Sequence, residues 1–226
     1  MPAEGGRRLH HAAIVLAGGD PVAPGTRSLL PNAGLVVAAD SGVHNAAALG
    51  LHVDIVVGDF DSADPAIVDA AVARGARVER HPAEKDATDL ELALLTAEAQ
   101  GAREVVVVGG AGGRLDHLLA NLALLASPRF VDLEITALIG VARVTVIRPG
   151  RAPTELRDQP GALLTLIPLG GDALGITTGG LQYPLDDEDL AAGTTRGVSN
   201  VFDTENATVA VRDGVLLAVQ PHGGAR

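Results

Sequence analysis

The sequence contains no cysteine and no tryptophan, and it has one tyrosine and three phenylalanines among 226 residues. Without cysteine, disulfides are excluded, and a structural zinc site would lack its usual thiolate ligands. Any bound metal must therefore meet oxygen or imidazole ligands. Because aromatic residues are scarce, the core must come from the small and branched aliphatic residues, which suits Ala-rich helices packed on Val-rich strands.

Basic residues are outnumbered by acidic ones, and the formal net charge is −11. Such a charge argues against a protein that binds the phosphate backbone of nucleic acids. No apolar run approaches the roughly 18 residues of a membrane span. The N-terminal apolar stretch Ile14-Val15-Leu16 is too short for a signal peptide. We therefore expect a cytoplasmic protein with no nucleic-acid partner and no membrane partner.

The first two thirds of the chain alternate short Val/Ile/Leu runs with longer Ala/Leu stretches of helical spacing. This alternation predicts an α/β fold, a Rossmann-like and mostly parallel sheet with helices on both faces. The predicted strands are Ala13 to Leu16, Leu35 to Ala39, Asp54 to Val57, Arg77 to Arg80, Glu104 to Val108 and Glu134 to Ile139. The predicted helices are Pro65 to Arg74, Asp89 to Gln100 and His117 to Ala126.

The last third has a different texture, because Gly and Pro separate short strand-like runs from Val144 to Ile147 onward. This pattern predicts antiparallel β-structure. Its clearest element is Thr208 to Val219, where two alternating apolar runs flank Asp213-Gly214, a dipeptide suited to a tight hairpin turn. We expect two domains, residues 1–142 and residues 143–226.

Glycine and carboxylate residues follow each of the first five predicted strands. In a parallel sheet these carboxyl ends share one edge, and ligands of open α/β folds bind in the crevice there. We therefore expect five loops to converge on one site. They are Gly18-Gly19-Asp20, Asp40-Ser41-Gly42, Gly58-Asp59-Phe60-Asp61-Ser62, the stretch from His81 to Asp89, and Gly109-Gly110-Ala111-Gly112-Gly113-Arg114.

Asp59 and Asp61 are spaced to face one pocket just beyond a strand. Mg²⁺ prefers such hard oxygen ligands, one or two carboxylates together with phosphate oxygens and water. The alternative is that Asp61 or Ser62 only caps the helix that begins near Pro65. That alternative leaves Asp59 unexplained, so a metal role is favoured.

Lys85 and Asp89 precede the next helix in Lys85-Asp86-Ala87-Thr88-Asp89. Taken alone, Thr88 or Asp89 is an ordinary N-cap and Lys85 a solvated charge. Beside the Asp59/Asp61 pair, Asp89 becomes a third metal-facing carboxylate, and Lys85 becomes a cation able to neutralise a phosphate.

The glycine-rich stretch from Gly109 to Gly113 follows a strand and precedes a helix, so its N–H groups can approach an anion. Arg114 and Asp116 follow it: a guanidinium for phosphate oxygens, and a carboxylate that caps the helix, holds Arg114 or helps the metal. The stretch lacks the Gly-Lys-Ser/Thr ending of a P-loop. Carboxylates, cations and an anion loop on one edge together indicate phosphoryl or diphosphoryl transfer assisted by Mg²⁺.

These motifs resemble, in order and over nearly the whole chain, those of thiamine pyrophosphokinases. The matching pieces are Ala39-Asp40-Ser41-Gly42, Gly58-Asp59-Phe60-Asp61-Ser62, Lys85-Asp86-Ala87-Thr88-Asp89, the stretch from Gly109 to His117, and Ser199-Asn200. Each motif alone is weak, but five in the right order are specific.

The resemblance implies a C-terminal β-sandwich after the α/β domain, and a homodimer with thiamine sites between its subunits. It implies Mg²⁺ ligands (Asp59, Asp61, Asp89), ATP contacts (Asp40, Ser41, Lys85, Gly109, Gly110, Gly112, Gly113, Arg114, Asp116) and thiamine contacts (Ser199, Asn200). It further implies catalytic roles for Asp89, Lys85 and Arg114 in moving the β,γ-diphosphate of ATP to the thiamine hydroxyl, with release of AMP.

Two departures from the family pattern matter. Ser41 stands where relatives often have a second glycine, and few aromatics are present to stack on thiamine, Tyr183 and Phe202 being the candidates. Two rival functions remain: a pyrophosphokinase for another hydroxymethyl heterocycle such as a dihydropterin, and a non-catalytic nucleotide-binding regulator.

Overall fold

The computed structural model describes residues 12–224. Contacts between residues divide this part of the chain into two compact units. The first comprises residues 12–115 with 132–135, and the second comprises residues 116–131 with 136–224. Among the described residues, no helix is both long enough and apolar enough to cross a membrane.

The first unit contains a parallel sheet of five strands in the order β5-β1-β2-β3-β4. Its elements are β1 (Ala12–Leu16), β2 (Leu35–Ala39), α1 (Gly42–Ala48), β3 (Ile55–Gly58), α2 (Pro65–Ala73), β4 (Arg77–Arg80), α3 (Asp89–Ala99) and β5 (Glu104–Val108). A short 3-10 helix, Pro24–Leu29, lies between β1 and β2. All five predicted strands and both predicted helices of this unit are confirmed.

The order of the strands sets the direction of the crossovers. Strands β1 to β4 advance towards one edge of the sheet, and β5 then returns to the other side of β1. Right-handed crossovers therefore place α1 and α2 on one face and α3 on the other. The strand order reverses between β1 and β5, and ligands of open α/β sheets bind at such a reversal.

Helix α1 was not predicted from the sequence. Its seven residues are too few to show a helical period, but Val43 and Ala46 are buried where the helix packs on β1 and β2. Gly42 begins the helix at a point where a Cβ would lie 2.0 Å from the Leu16 carbonyl oxygen. Close approach to β1, a tertiary requirement, therefore decides the residue at this position.

The second unit contains an α-helix, a short 3-10 helix (Pro128–Phe130) and antiparallel strands. Its elements are α4 (Leu115–Ala126), β6 (Glu134–Ile139), β7 (Ala142–Ile147), β8 (Thr154–Arg157), β9 (Leu163–Pro168), β10 (Ala173–Gly179), β11 (Glu188–Leu190), β12 (Asn200–Val201), β13 (Asn206–Ala210) and β14 (Leu216–Gln220). Strand order is β12-β9-β14-β7-β6 in one sheet and β11-β10-β13-β8 in the other. Side chains from both sheets share one buried core that includes Leu164, Leu166, Ile176 and Val209, so the predicted sandwich is confirmed.

The predicted hairpin around Asp213-Gly214 is wrong. Strand β13 pairs with β8 and β10, whereas β14 pairs with β7 and β9 in the other sheet. The connecting residues cross between sheets, where Leu174 forms an isolated bridge with Asp213. Both alternating runs face the common core, β13 through Val209 and β14 through Leu216. A hairpin would have put both apolar faces on one sheet, leaving the opposite side of the core uncovered.

Arg148 is a buried cation of the second unit, with only 5% of its surface exposed. Its guanidinium donates to the carbonyl oxygens of Leu125, Ala126 and Ser127 at 2.9 to 3.2 Å. These carbonyls lie at the C-terminal end of α4. The last carbonyls of a helix are unpaired acceptors and carry partial negative charge. Burial, together with the nearby charge of Arg151, lowers the pKa of Arg148. Arg148 therefore closes the C-terminal end of α4.

Candidate active site

The loops that follow β1 and β5 interlock at the point where the strand order reverses. The Gly110 N–H donates to the Gly18 carbonyl at 2.9 Å, and the Asp20 N–H donates to the Ala111 carbonyl at 2.6 Å. A Cβ on Gly19, where φ is +118°, would lie 1.8 Å from the Ala111 oxygen. Glycine is therefore required at position 19, because the two backbones are in direct contact.

Asp40 follows β2 in a left-handed conformation, with φ of 45°. Its N–H donates to the Val57 carbonyl at 2.7 Å, which ties the turn to β3. The carboxylate is buried: Oδ2 accepts a hydrogen bond from the Ser62 hydroxyl, while Oδ1 has no hydrogen-bond partner among the described residues. A buried acceptor without a donor is costly, so Asp40 Oδ1 is prepared for a ligand.

Asp59 and Asp61 flank Phe60, which also has a left-handed backbone, with φ of 64°. This turn lets the Asp61 N–H donate to Asp59 Oδ1 at 3.1 Å. Arg80, at the end of β4, donates to the Asp59 carbonyl at 3.2 Å and places its guanidinium 4.7 Å from the Phe60 ring centre. Contacts from a neighbouring strand therefore hold the loop in its unusual shape.

Lys85 lies between two carboxylates. Its Nζ is 2.7 Å from Asp59 Oδ2 in a hydrogen bond and 3.0 Å from Asp89 Oδ1 in an ion pair. Among the described residues, that Asp89 oxygen has no aligned hydrogen-bond donor. Burial opposes the charge of the ammonium, but the two carboxylates outweigh burial and raise the pKa of Lys85. Lys85 is therefore a cation at neutral pH.

Lys85 is also the only lysine among the 17 lysine and arginine residues of the sequence. An ammonium is a compact point charge, whereas a guanidinium is planar and larger. The Lys85 ammonium lies within 3.0 Å of a carboxylate oxygen on each side, a spacing that suits a compact charge. The presence of a single lysine in the whole sequence is a feature of the composition that marks this position.

Asp40, Asp59 and Asp61 have the donor set for a divalent cation. One ligand oxygen from each lies within 4.8 Å of the others. The Asp59 carboxylate raises the pKa of Asp61, with a smaller contribution from Asp40, whereas the hydrogen bond from Lys85 lowers the pKa of Asp59. Asp61 thus experiences carboxylate repulsion that a divalent cation would relieve, so these residues fit Mg²⁺.

The membership of this group differs from the predicted metal set. Asp40, expected at the nucleotide, takes the third place in the group, while Asp89 pairs with Lys85. A Cβ on Gly58 would lie 3.1 Å from both Asp40 Cβ and Asp89 Oδ1, so Asp89 borders the same space. The role of Asp89 as a metal ligand stays a prediction.

The capping alternatives raised from the sequence are answered by the helix ends. Asp64, and neither Asp61 nor Ser62, caps α2 by accepting from the Ala66 N–H at 2.9 Å. Thr88 caps α3 by accepting from the Glu91 N–H at 3.2 Å. Asp61 and Asp89 are therefore not used as helix caps.

The remaining predicted nucleotide contacts lie in the loops around these carboxylates. Ser41 precedes α1, and its Oγ would lie 2.2 Å from a Cβ on Gly18, so Gly18 makes room for it. In the loop after β5, Gly109 is buried, Gly110 and Gly112 are partly buried, and Gly113 and Arg114 are exposed. Asp116 is the second residue of α4 and is exposed; it belongs to the second unit.

In the second unit, Ser199 and Asn200 differ in accessibility. Ser199 is exposed in a left-handed conformation, with φ of 61°, and its N–H donates to Thr165 Oγ1 at 3.1 Å. Asn200 is buried, and its carboxamide holds Tyr183: Nδ2 donates to the Tyr183 carbonyl at 2.7 Å, and Oδ1 accepts from the Tyr183 N–H at 3.1 Å. Of the two predicted thiamine contacts, Ser199 is therefore accessible, whereas the Asn200 carboxamide is already hydrogen-bonded to the Tyr183 backbone.

The two aromatic candidates also differ. Tyr183 is 65% exposed, whereas Phe202 is 1% exposed and belongs to the sandwich core. Only Tyr183 of this pair has a ring accessible for stacking.

Known proteins resemble this chain in both parts. The family model described as "Thiamin pyrophosphokinase, catalytic domain" matches residues 26–137, and the model described as "Thiamin pyrophosphokinase, vitamin B1 binding domain" matches residues 153–216.

Among curated proteins, thiamine pyrophosphokinase of Bacillus subtilis is 29% identical over 62% of this chain and 65% of its own length. Thiamine pyrophosphokinase 1 of Oryza sativa is 28% identical over 69% of this chain and 61% of its own length. Sequence similarity therefore spans somewhat less than two thirds of these relatives.

Solved structures extend the likeness. The crystal structure of thiamine pyrophosphokinase from Bacillus subtilis has a TM-score of 0.80 at 25% identity, covering 92% of this chain and 98% of that one. The structure of thiamin pyrophosphokinase from Geobacillus thermodenitrificans has a TM-score of 0.76 at 28% identity, with coverage of 92% and 96%.

Proposed function

Because the chain belongs to the thiamin pyrophosphokinase family, we propose that it transfers the β,γ-diphosphate of ATP to thiamine, giving thiamine diphosphate and AMP. The observation that carries the proposal is the carboxylate group of Asp40, Asp59 and Asp61 beside Lys85. It lies at the carboxyl ends of the parallel strands, where the two glycine loops also meet. Carboxylates and a cation beside an anion loop are the parts that diphosphoryl transfer requires.

In the proposed reaction, the primary hydroxyl oxygen of thiamine attacks the β-phosphorus of ATP in line. The new oxygen–phosphorus bond forms as the bond from that phosphorus to the oxygen bridging the α-phosphorus breaks. AMP leaves with the bridging oxygen, and the hydroxyl proton is released. No covalent enzyme intermediate is needed, so the protein's work is positioning and charge stabilisation.

Asp40, Asp59 and Asp61 would hold Mg²⁺, with Asp89 as a further proposed ligand. A magnesium ion bound there supplies positive charge to the polyphosphate oxygens. The chain's own contribution is to keep three carboxylates close together despite their repulsion. Ser62 does this by donating to Asp40, and Lys85 does it by donating to Asp59.

Lys85 and Arg114 are the proposed phosphate-facing cations. Lys85 is held by Asp59 and Asp89, so its ammonium is pre-positioned before the nucleotide arrives. Arg114 is exposed at the end of the glycine-rich loop. The N–H groups of that loop, together with Ser41 and Asp116, are proposed to contact ATP. Asp89 or Asp59 is proposed to orient or deprotonate the thiamine hydroxyl.

Thiamine is proposed to bind the second domain through Ser199 and Asn200, in the region matched by the vitamin B1 binding model. The exposed Tyr183 ring supports a stacking contact with thiamine. Since the Asn200 carboxamide already bonds the Tyr183 backbone, its contribution includes holding this aromatic residue in place.

We further propose a homodimer, a cytoplasmic location and a domain division at residues 142/143. The homodimer is proposed from the resemblance to the family, and the second unit has exposed apolar side chains, among them Leu119 at 58% and Val131 at 55%. The proposed consumption of ATP supports the proposed cytoplasmic location. The division falls in the interval that separates the two matched family models.

The decisive experiment is to incubate purified protein with ATP and Mg²⁺, with and without thiamine, and to measure AMP. We expect thiamine-dependent AMP and a second product whose mass is that of thiamine diphosphate. ATP binding without AMP formation would contradict the proposal and favour a regulator. AMP formation with a hydroxymethyl dihydropterin and not with thiamine would assign the other acceptor.

A further inference from the structure

Asn45 is a buried amide in the short helix α1. Only 4% of its surface is exposed. Its Nδ2 donates to the Ala17 carbonyl at 2.9 Å, and its Oδ1 accepts from the Val22 N–H at 3.4 Å. Both partners belong to the segment that follows β1, so one side chain of α1 closes that segment into a loop around Gly18, Gly19 and Asp20.

The same carboxamide lies against the loop that follows β5. A Cβ on Gly109, where φ is +92°, would lie 3.0 Å from Asn45 Nδ2 and 2.7 Å from the Ala17 carbonyl oxygen. Asn45 therefore lies beneath the junction at which the two glycine loops meet. Its position in α1 also links this junction to the turn at Asp40, five residues earlier in the chain.

We infer that Asn45 is a positioning residue for the nucleotide site, which holds the loops after β1 and β5 in the spacing that ATP requires. The inference rests on the proposed function. The buried carboxamide need not touch ATP, because it acts through the backbone of Ala17 and Val22. Loss of its hydrogen bonds leaves two loop groups unpaired and allows the loops to separate.

The chemistry of the amide gives a conservative test. Asn45→Asp preserves the shape and the acceptor that faces the Val22 N–H, but it replaces the donor that faces the Ala17 carbonyl with a second acceptor. Asn45→Leu preserves approximate volume and removes both hydrogen bonds. If the first variant fails to fold, the second carries the same test.

Gln220 provides a matched control in the second unit. It is 1% exposed, and its Nε2 donates to the Arg157 carbonyl at 2.9 Å and to Asp158 Oδ2 at 3.0 Å. Gln220→Met also deletes a buried amide, but the hydrogen bonds of Gln220 go to Arg157 and Asp158 and not to the loops after β1 and β5. Comparison with this variant separates a loss of stability from a loss of loop spacing.

The experiment measures the Kd of a non-hydrolysable ATP analogue with Mg²⁺ by calorimetry, the KM values for ATP and thiamine, and the Tm of each variant. For both Asn45 variants we expect about a tenfold weaker analogue Kd and a similar rise in the KM for ATP. The KM for thiamine should stay within about twofold of wild type, because the hydrogen bonds of Asn45 go to the segment after β1 and not to the proposed thiamine contacts Ser199 and Asn200. Gln220→Met should lower the Tm while leaving the analogue Kd unchanged.

An unchanged analogue Kd in a folded Asn45 variant would overturn the inference. So would an equal loss of analogue binding in Gln220→Met, because general destabilisation would then explain both. Failure of the proposed function has a different signature: wild-type protein would form no thiamine diphosphate. The calorimetric comparison of Asn45 variants still judges the positioning role in that case, because it does not depend on turnover.

Discussion

Asp40 in the first unit and Asn200 in the second are both buried polar residues at predicted binding positions, and they are satisfied to different extents. One carboxylate oxygen of Asp40 has no partner among the described residues. The Asn200 carboxamide donates to and accepts from the backbone of Tyr183, and its oxygen also accepts from the Val201 N–H. Asp40 therefore has an acceptor oxygen left for a ligand, whereas the hydrogen bonds of Asn200 hold a neighbouring residue in place.

The two units therefore differ in how they would bind their proposed ligands. The first unit keeps like charges together, so that a divalent cation can relieve their repulsion on binding. The second unit completes its own hydrogen bonds and leaves an aromatic ring exposed at Tyr183. Ligand affinity in the first unit should therefore depend on charge, and in the second on shape and apolar contact.

Asp61→Asn should have the largest effect, because it removes one of the three carboxylates proposed to hold Mg²⁺. We expect activity to fall about a hundredfold or more. Without metal, the Tm should rise, since the repulsion from Asp59 and Asp40 that raises the pKa of Asp61 is relieved. Steady-state kinetics and thermal unfolding in a chelator test both parts.

Asp64→Asn is the matched control, three residues further along. It retains an N-cap for α2 and stands outside the carboxylate group, so activity should be unchanged. If Asp61→Asn kept normal turnover at limiting Mg²⁺, the charge-based account of the first unit would be wrong.

Lys85→Met should lower activity by about ten- to a hundredfold, because Asp59 and Asp89 lose their shared cation. Lys85→Arg should recover only part of this loss, since a planar guanidinium does not fit the position of an ammonium. Kinetics of the three proteins at saturating Mg²⁺ provide the measurement. Full activity in the arginine variant would show that only the charge matters.

Tyr183→Ala should raise the KM for thiamine about tenfold, with the KM for ATP unchanged. Tyr183→Phe should retain near-normal affinity, because the ring is kept. Phe202→Leu, a change in the sandwich core, should instead lower the free energy of unfolding by about 1 kcal/mol. An equal effect of Tyr183→Ala on both KM values would contradict a specific contact with thiamine.

The smallest effect concerns pH. Because the pKa of Asp61 is raised above 3.8, its carboxylate takes up a proton before an ordinary aspartate does as the solution becomes acidic. Mg²⁺ affinity should therefore weaken on acidification, starting above the ordinary aspartate range. Without metal, ionised Asp61 destabilises the fold, and this penalty disappears as pH falls through its raised pKa.

Calorimetric Mg²⁺ titrations at several pH values, in buffers of different ionisation enthalpy, would detect the coupled proton release. The Asp64→Asn control should reproduce the wild-type profile. An affinity independent of pH across the acid range would remove Asp61 from the metal site.

The local sequence predicted most of the secondary structure. Alternation of apolar residues located β13 and β14, and Pro65 with Thr88 marked the starts of α2 and α3, because these signals depend on neighbouring residues. Helix α1 was missed since seven residues show too little periodicity. Turn chemistry at Asp213-Gly214 suggested a hairpin, although the strands on either side belong to different sheets.

The candidate site was predicted at the level of loops rather than atoms. The ends of parallel strands necessarily meet at one edge, so the convergence of Asp40, Asp59 and Lys85 followed from the strand pattern. The sequence contained no measure of which carboxylates would be nearest neighbours. Nor did it indicate that Asn45 reaches the Ala17 carbonyl, because that contact joins residues 28 positions apart.

The sequence by itself determined the types of element, the chemistry available without cysteine, and the edge of the sheet at which charged residues gather. Tertiary structure alone decided that Asp40 joins Asp59 and Asp61, that Asn200 holds Tyr183, and that β13 and β14 face one core from opposite sheets. The physical reason is range: period, capping and turn preference act between near neighbours, whereas strand pairing and side-chain direction are set when distant segments compete for one buried core.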